Sequence, residues 1–207
     1  MTIETSERSS RKPITHDLIL DHTMEILHER GVAGFRLKDL AHRLEVTIPN
    51  LYRYFKDREE IIRASFARAH VEHCSRLAEN LVQRADSINT HDDLYSALQQ
   101  FFPELSTALA QERRVMQFKA LANIHDSKGN AALVDSLNHV HKATTQLFSG
   151  AQARGLVDPT LNAEALSLLL RSMVTGLVVW DLDNKITVSD EDINAILQRF
   201  FQAVTVN

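Results

Sequence analysis

Apolar residues recur at helical spacing along almost the whole chain. They return every three or four positions, which places them on one face of a helix rather than on alternating faces of a strand. Interruptions are rare, because the 207 residues include only 6 Gly and 4 Pro. The pattern predicts helices over residues 15–30, 36–44, 48–55, 59–85, 92–109, 113–125, 130–154, 162–182 and 190–204. We therefore expect an all-α chain.

The first three helices are short, and a long fourth helix follows them. Gly31 is the expected C-cap of the first helix. A three-residue link, 45–47, joins the second helix to the third, which is the spacing of a helix-turn-helix. A small N-terminal bundle would thus be joined through the long helix to a larger C-terminal bundle.

The stretch VTIPNLYRYF, residues 46–55, contains the third helix and divides into two faces. Leu51 and Phe55 fall on the inward side, whereas Pro49 and Arg53 lie near the opposite pole. With Thr47 as N-cap, Pro49 occupies the first turn, where its missing N–H would have had no partner inside the helix. The alternative is that the tyrosines are core residues of an ordinary bundle, which would bury two hydroxyls and an arginine.

The outward face carries groups that suit a DNA duplex. Arg53 and Asn50 have the donor patterns that pair with guanine and adenine edges, and tyrosine hydroxyls and cations suit phosphate oxygens. Free N–H groups at the helix start can also meet a phosphate. The predicted DNA-contacting residues are Arg36, Lys38, Thr47, Pro49, Asn50, Tyr52, Arg53, Tyr54, Lys56 and Arg58.

The net charge of −4 does not exclude nucleic acid, because the charge is unevenly distributed. Residues 1–70 carry 12 basic and 11 acidic side chains, and residues 71–207 carry 11 and 16. Residues 1–12 are polar and contain Arg8, Arg11 and Lys12, which predicts a disordered basic arm. A single cysteine, Cys74, excludes an internal disulfide. Without a secretory signal or a membrane-length apolar run, we expect a cytoplasmic protein.

The sequence GVAGFRLKDLAHRLEVTIPNLYRYFKDREEIIRASF resembles the TetR family of transcriptional regulators. The resemblance covers residues 13–73 and is carried by Asp39-Leu40-Ala41, the LYRYF block and the basic residue three positions after Phe55. It implies a DNA-binding domain over 13–73 and an effector-binding and dimerisation domain over 74–207. It also implies a homodimer formed through the last two long helices, with a palindromic operator as its DNA partner.

The sequence departs from the family pattern at three positions. Glu45 stands in the turn where members often have Gly, and a positive φ there would cost about 1 kcal/mol. Arg36 replaces a Thr N-cap at the start of the second helix. Arg58 replaces the usual Lys after the aromatic block and keeps its charge.

The C-terminal half carries a less specific signal. The resemblance implies a pocket for a small apolar or amphipathic effector, whose candidate residues are Phe66, His70, Phe102, Leu121, His125 and Trp180. His70, His73 and Cys74 share one helical face, but we interpret them as ordinary buried or exposed side chains rather than metal ligands. Residues 163–180 form the most apolar helix, which indicates burial on most sides and a subunit interface.

We therefore expect a ligand-responsive DNA-binding regulator, with repression favoured over activation. No cofactor, metal or catalytic motif is predicted, so the chain is not expected to be an enzyme. The alternative is a helical protein-interaction module with a vestigial DNA-binding head. A third possibility is an all-α metalloenzyme that uses His70 and His73.

Overall fold

The computed structural model describes residues 13–99, 101, 131–180 and 189–206, with the side chains of 177–180 and 190 excepted. These residues form eight helices and no strand beyond a single bridge between Val157 and Thr205. The helices are α1 (His16–Gly34), α2 (Leu37–Arg43), α3 (Ile48–Leu51), α4 (Arg58–Ala85), α5 (His91–Gln99), α6 (Ala131–Ala153), α7 (Ala163–Trp180) and α8 (Asp190–Val204). The all-α class is therefore confirmed.

The chain divides into two compact units, Met1–Ile62 and Arg63–Asn207, with the division inside α4. We call the first unit the head and the second the body. The predicted domain boundary at residue 73 also falls within α4. The predicted basic arm, 1–12, and the predicted helix 113–125 lie outside the described residues.

Packing of α1, α2 and α3 around one apolar centre forms the head. The buried positions of α1 recur at helical spacing, as the sequence predicts, and α2 contacts both of its neighbours. Fully or almost fully buried apolar side chains form this centre: Ile19, Leu20, Ile26, Leu27, Phe35, Leu40, Leu51, Phe55, Ile61 and Ile62. This core holds α3 and the turns around it in place.

Two helix ends in the head differ from the prediction. The range of α1 runs to Gly34, although Gly31 is not helical, with φ 65° and ψ 177°. Gly31 was the expected C-cap; its positive φ interrupts the helix there, but a further turn of chain follows and the C-cap is Phe35. Regular α3 ends at Leu51 rather than Phe55, because Arg53 and Tyr54 donate backbone bonds to Asn50 and Leu51, three residues earlier.

The body has a separate apolar core built from α4 to α8. Its fully buried members include Leu81, Leu98, Leu147, Phe148 and Leu170. The C-terminal residues return to the loop after α6: Asp158 N–H donates to the Val204 carbonyl, and Val206 N–H donates to the Leu156 carbonyl. Nowhere in the described part of the chain is a helix both long enough and apolar enough to cross a membrane.

Candidate nucleic-acid interface

Residues 46–55, which we call the α3 segment, are anchored by their inward side chains. Leu51 is 0% exposed and Phe55 is 3% exposed. The His16 ring lies against Phe55, with 4.4 Å between ring centroids, and the Tyr54 hydroxyl donates to the Ile14 carbonyl at 2.9 Å. Contacts from the beginning of the described chain therefore fix the end of the α3 segment in the head.

The opposite face of the segment is open. Tyr52 is 46% exposed and Tyr54 is 39% exposed, and Pro49 and Arg53 are also exposed. Asn50 is partly buried on the flank. The predicted division into an apolar inner side and a polar outer side is confirmed, and the alternative of buried tyrosines is wrong. The hydroxyl proton of Tyr54 is already used within the head, so Tyr52 offers the freer donor.

The turn before α3 has the backbone conformation that glycine favours. Glu45 has φ 53°, the only positive φ at a non-glycine residue in the described chain. The Glu45 N–H donates to the His42 carbonyl at 3.1 Å, and the Val46 N–H donates to the Ala41 carbonyl at 2.9 Å. These two bonds form a Schellman motif with Glu45 at the left-handed position. The strain foreseen at Glu45 is therefore present, and the motif is complete despite it.

The start of α3 differs in one respect from the prediction. Thr47 is the N-cap residue and Pro49 lies in the first turn, both as predicted. The Thr47 hydroxyl, however, makes no capping hydrogen bond. The Thr47 carbonyl accepts from the Asn50 N–H at 2.9 Å, so the backbone alone forms this first turn. The hydroxyl is exposed with its residue and available to an external acceptor or donor.

The predicted cations fall into two groups. Lys38 and Lys56 are exposed, and Lys38 lies in the first turn of α2, where a positive charge opposes the helix dipole. Arg36 has no capping role, and its Nη1 donates to the Ala33 and Phe35 carbonyls at 2.6 and 3.2 Å. The two lysines are therefore better placed than Arg36 to contact an external anion, because backbone carbonyls already engage the Arg36 guanidinium.

Arg58 is engaged inside the head. Its Nη2 donates to the Val32 carbonyl at 2.7 Å and to the Phe35 carbonyl at 3.2 Å, and its guanidinium lies 5.4 Å from the centroid of the Phe35 ring. It also pairs with Glu59. The sequence showed the charge of Arg58 but gave no signal for this role, which ties the start of α4 to the end of α1. A phosphate contact by Arg58 stays a prediction.

Ion pairs and capping bonds fix the surrounding helices. Arg43 of α2 pairs with Glu29 of α1 at 2.5 Å, and this bond lowers the pKa of Glu29 and raises that of Arg43. At the start of α4, the Asp57 carboxylate accepts from the Glu60 N–H at 2.7 Å, while the Glu60 carboxylate accepts from the Lys56 N–H. These contacts fix α2 and the start of α4, which precede and follow α3 in the chain.

Comparison with known proteins agrees with this geometry. Residues 19–65 match the family model described as bacterial regulatory proteins, tetR family. The HTH-type transcriptional regulator TtgR of Pseudomonas putida is 25% identical over 174 residues, covering 79% of this chain and 78% of that protein. The match lies almost entirely in the head and, with this relative, supports a TetR family transcriptional regulator.

Solved structures share the fold of this chain at low identity. One is a transcriptional regulator from Saccharomonospora viridis in complex with choline, which has a TM-score of 0.67 and 15% identity and covers 93% of this chain and 98% of its own. Another is SmeT, the repressor of the Stenotrophomonas maltophilia multidrug efflux pump SmeDEF, with a TM-score of 0.57 and 20% identity, covering 94% and 92%. Identities this low show a common fold and nothing about ligands.

The effector candidates can be placed only in part. Phe66 and His70 lie one turn apart on α4; Phe66 is buried and His70 partly buried. Phe102, Leu121 and His125 lie outside the described residues, as does the side chain of Trp180. The pocket therefore stays a prediction. A surface cleft between α5 and α8 is lined by other residues, among them His91, Tyr95 and Phe201.

Two of the histidines in the body, His70 and His141, lie against polar side chains. His70 Nε2 lies 3.5 Å from Cys74 Sγ. His141 Nδ1 lies 2.8 Å from the Ser167 hydroxyl, which joins α6 to α7 and is fully buried. Within the described ranges, no three His, Cys, Asp or Glu side chains are grouped to hold a metal ion. Sequence reasoning missed Ser167 and Ser136, because a lone serine in an apolar helix carries no spacing signal.

Proposed function

We propose that this regulator is a homodimeric repressor that binds a palindromic operator and releases it when a small effector enters the body. The observation that carries the DNA-binding part is the outer face of the α3 segment. It combines a rigidly docked inner side with exposed Tyr52 and Arg53. An exposed arginine is ordinary, but a purely structural bundle gains nothing from exposing two tyrosines beside it on the same face.

The outer face divides into a base-reading part and a phosphate part. Arg53 and Asn50 would enter the major groove, where a bidentate arginine–guanine contact is worth about 1–3 kcal/mol. Tyr52, Lys38 and Lys56 flank them and would contact phosphates, which sets the register and makes affinity depend on salt. Contacts by Arg36, Thr47, Pro49, Tyr54 and Arg58 are retained as part of the proposed interface.

The experiment begins with selection of bound fragments from random and genomic DNA, followed by titration of the selected site at several salt concentrations. Arg53→Ala should weaken binding by roughly 5- to 150-fold and relax base preference at one position per half-site. Lys56→Ala should lower the salt slope by about one per phosphate contact removed, without changing base preference. Arg76→Ala, on the exposed side of α4 in the body, is the matched control. Binding by Arg53→Ala equal to wild type would sink the assignment.

Dimerisation through α7 and α8 is supported by apolar side chains that the single chain leaves open. Leu168 and Leu169 of α7 are 57% and 50% exposed, and Ile196 of α8 is 67% exposed. A Cβ added at Gly176 would meet nothing within 4 Å, so this part of α7 also has room for a neighbouring helix. We propose that a second copy covers these positions.

Sedimentation equilibrium tests the dimer directly. Leu168→Asp and Ile196→Asp should each shift the wild-type dimer towards monomer, because a carboxylate would be buried in the interface. Val82→Asp replaces another exposed apolar side chain, 55% exposed on α4, and should leave the dimer intact. A monomeric wild-type protein, or aspartate variants that dimerise normally, would contradict the proposed interface.

Release by an effector is supported by the match of residues 19–65 to the tetR family model and by the fold shared with the Saccharomonospora viridis regulator, which was solved with choline. Effector binding would favour a state of the dimer whose heads no longer match the operator spacing. The alternative of a protein-interaction module with a vestigial head predicts that selection recovers no inverted repeat, so the same experiment separates the two functions.

A further inference from the structure

A surface cleft lies between α5 and α8 of the body, and neither the DNA interface nor the predicted effector pocket includes its residues. The cleft measures about 410 Å³ with its open mouth, which is within the size range of sites that bind small molecules. Among the residues that line it are His91, Asp92, Tyr95, Gln198, Phe201 and Gln202. Phe201 is 5% exposed, whereas Asp92 and both glutamines are exposed, so apolar surface lies beneath a polar rim.

Two aromatic rings, one from each helix, form part of the wall of the cleft. The Tyr95 ring of α5 lies edge-to-face against the Phe201 ring of α8, with 5.9 Å between the centroids and 70° between the planes. Phe200 meets Phe201 in a similar way, at 5.6 Å. The Tyr95 hydroxyl donates to the Asn194 carbonyl at 3.5 Å. Contacts within and between the two helices therefore hold rings whose faces carry the negative part of the aromatic quadrupole, which attracts cations.

The charge and the hydrogen-bonding groups of the cleft also favour a positive ligand. His91 Nε2 lies 3.1 Å from the Leu156 carbonyl, which can only accept, so the neutral ring keeps its proton on Nε2 and leaves Nδ1 as an acceptor. The neighbouring Asp92 contributes an exposed carboxylate. Among the lining residues that the structure describes, none is a lysine or an arginine. The formal charge of the cleft with a neutral His91 is therefore negative.

The N-terminus of α5 adds negative charge rather than a site for an anion. The Asp93 N–H donates to the Thr90 hydroxyl at 3.1 Å, and the Thr90 N–H donates to the Asp93 carboxylate at 2.9 Å. The Asn89 N–H also donates to this carboxylate, at 3.1 Å. Because a carboxylate of the chain itself already lies at this helix start, a second anion there would be repelled.

The cleft lies on a different side of α8 from the proposed dimer contact. Ile196, which is 67% exposed, belongs to that contact. Gln198 and Gln202 follow Ile196 by two and six positions, which is about 200° and 240° around the helix. A second copy that covers Ile196 therefore leaves the cleft open to a ligand.

We propose that the cleft between α5 and α8 binds an organic cation, an ammonium group carried on a small apolar or aromatic body. The ammonium group would lie against the Tyr95 ring with the Asp92 carboxylate as its counter-ion, and the apolar part would pack beside Phe201. A cation gains from the ring face and from the carboxylate, whereas an uncharged ligand of the same shape gains from neither to the same degree. This site is additional to the proposed effector pocket and does not depend on DNA binding.

Calorimetric titration of the full-length protein tests the site without DNA, at about pH 8, where an imidazole is ordinarily neutral and an alkylamine is ordinarily protonated. The probes share one apolar body and differ in charge: 3-phenylpropylamine, 3-phenylpropanol and 3-phenylpropionate. The amine should bind about fivefold or more tightly than the alcohol, and the carboxylate should bind more weakly than either. Added salt should reduce the preference for the amine, because part of it comes from an exposed charge pair.

Variants separate the contributions of the carboxylate, the ring and the hydroxyl. Asp92→Asn should reduce the preference for the amine over the alcohol to about twofold or less. Tyr95→Leu should weaken the amine severalfold, whereas Tyr95→Phe keeps the ring and should bind the amine nearly as wild type does. Asp135→Asn removes an exposed carboxylate of α6 that does not line the cleft, and it is the matched control.

Several results would overturn the proposal. These are equal binding of the amine and the alcohol, an unchanged preference in Asp92→Asn, and absence of binding by the amine at about 10 mM. Equal amine affinity in Tyr95→Leu and Tyr95→Phe would also overturn it, because the ring would then contribute nothing. Operator selection is scored separately, so a protein that binds DNA but not the amine refutes this site and leaves the DNA-binding function standing.

Discussion

Replacing Glu45 by glycine should stabilise the head, because this position holds an L-residue in a conformation that glycine adopts without strain. Glu45 has φ 53° and occupies the left-handed position of a Schellman motif between α2 and α3. An L-residue pays about 1–2 kcal/mol for this conformation, since Cβ approaches the following carbonyl oxygen. Glycine avoids that cost but gives up roughly 0.4–1 kcal/mol through the greater freedom of the unfolded chain. The net expectation is a gain of about 0.5–1 kcal/mol.

The side chain and the backbone contribute separately, and two variants distinguish them. Glu45→Ala removes the carboxylate and its contacts but keeps the Cβ and therefore the strain. Glu45→Gly removes both, so the difference between the two variants reports the left-handed backbone alone. Native-state hydrogen exchange at the amides of α2 and α3 measures the stability of the head itself, which global unfolding of two units would not isolate.

The outcome also bears on DNA docking. A relaxed turn leaves the Schellman bonds in place, so Glu45→Gly should bind the selected operator at least as well as wild type. The reasoning is refuted if Glu45→Gly and Glu45→Ala have the same exchange free energy within about 0.3 kcal/mol, or if glycine is the less stable of the two. Either result would mean that Glu45 bears no backbone strain at this turn.

Three further outcomes follow from the contacts. Burial lowers the pKa of His70 to about 4, so the free energy of unfolding should fall as the pH drops from about 6.5 to about 4. In that range the unfolded chain binds a proton that the folded chain does not, and the loss is at most about 3 kcal/mol. His70→Phe should flatten this dependence of the free energy on pH, as measured by urea titration at each pH. Ser167→Ala should destabilise the body by roughly 1–3 kcal/mol by leaving His141 Nδ1 without its partner, whereas Ser172→Ala on the exposed side of α7 should change little. Arg58→Lys should destabilise the head by about 1–2 kcal/mol, although Lys is the usual residue in the family that the sequence resembles. An ammonium group cannot reproduce both the two hydrogen bonds to backbone carbonyls and the stacking on the Phe35 ring. Unchanged hydrogen-exchange protection at the end of α1 would contradict this prediction.

Much of the head could be predicted from the sequence because its signals are local. The faces of the α3 segment follow from helical periodicity, and Pro49 marks the helix start because of its missing N–H. The left-handed position of Glu45 was foreseen from the family resemblance, because members of that family often have Gly in this turn. The end of regular α3 at Leu51 was not predictable, since apolar periodicity does not distinguish the last α-turn from a 3₁₀ turn.

The sequence by itself determined the all-α class, the helix-turn-helix and the identity of its outward face, because periodicity, caps and turn residues act over a few neighbouring positions. Only the tertiary structure decided which of the predicted cations are free and which are occupied. Arg36 and Arg58 look like Lys38 and Lys56 in the sequence, but carbonyls at the end of α1 engage both arginines. Likewise, the His141 ring and the buried Ser167 hydroxyl meet through the packing of two helices, α6 and α7, although these residues are 26 positions apart in the sequence. Such contacts depend on how distant helices pack, which no local pattern encodes.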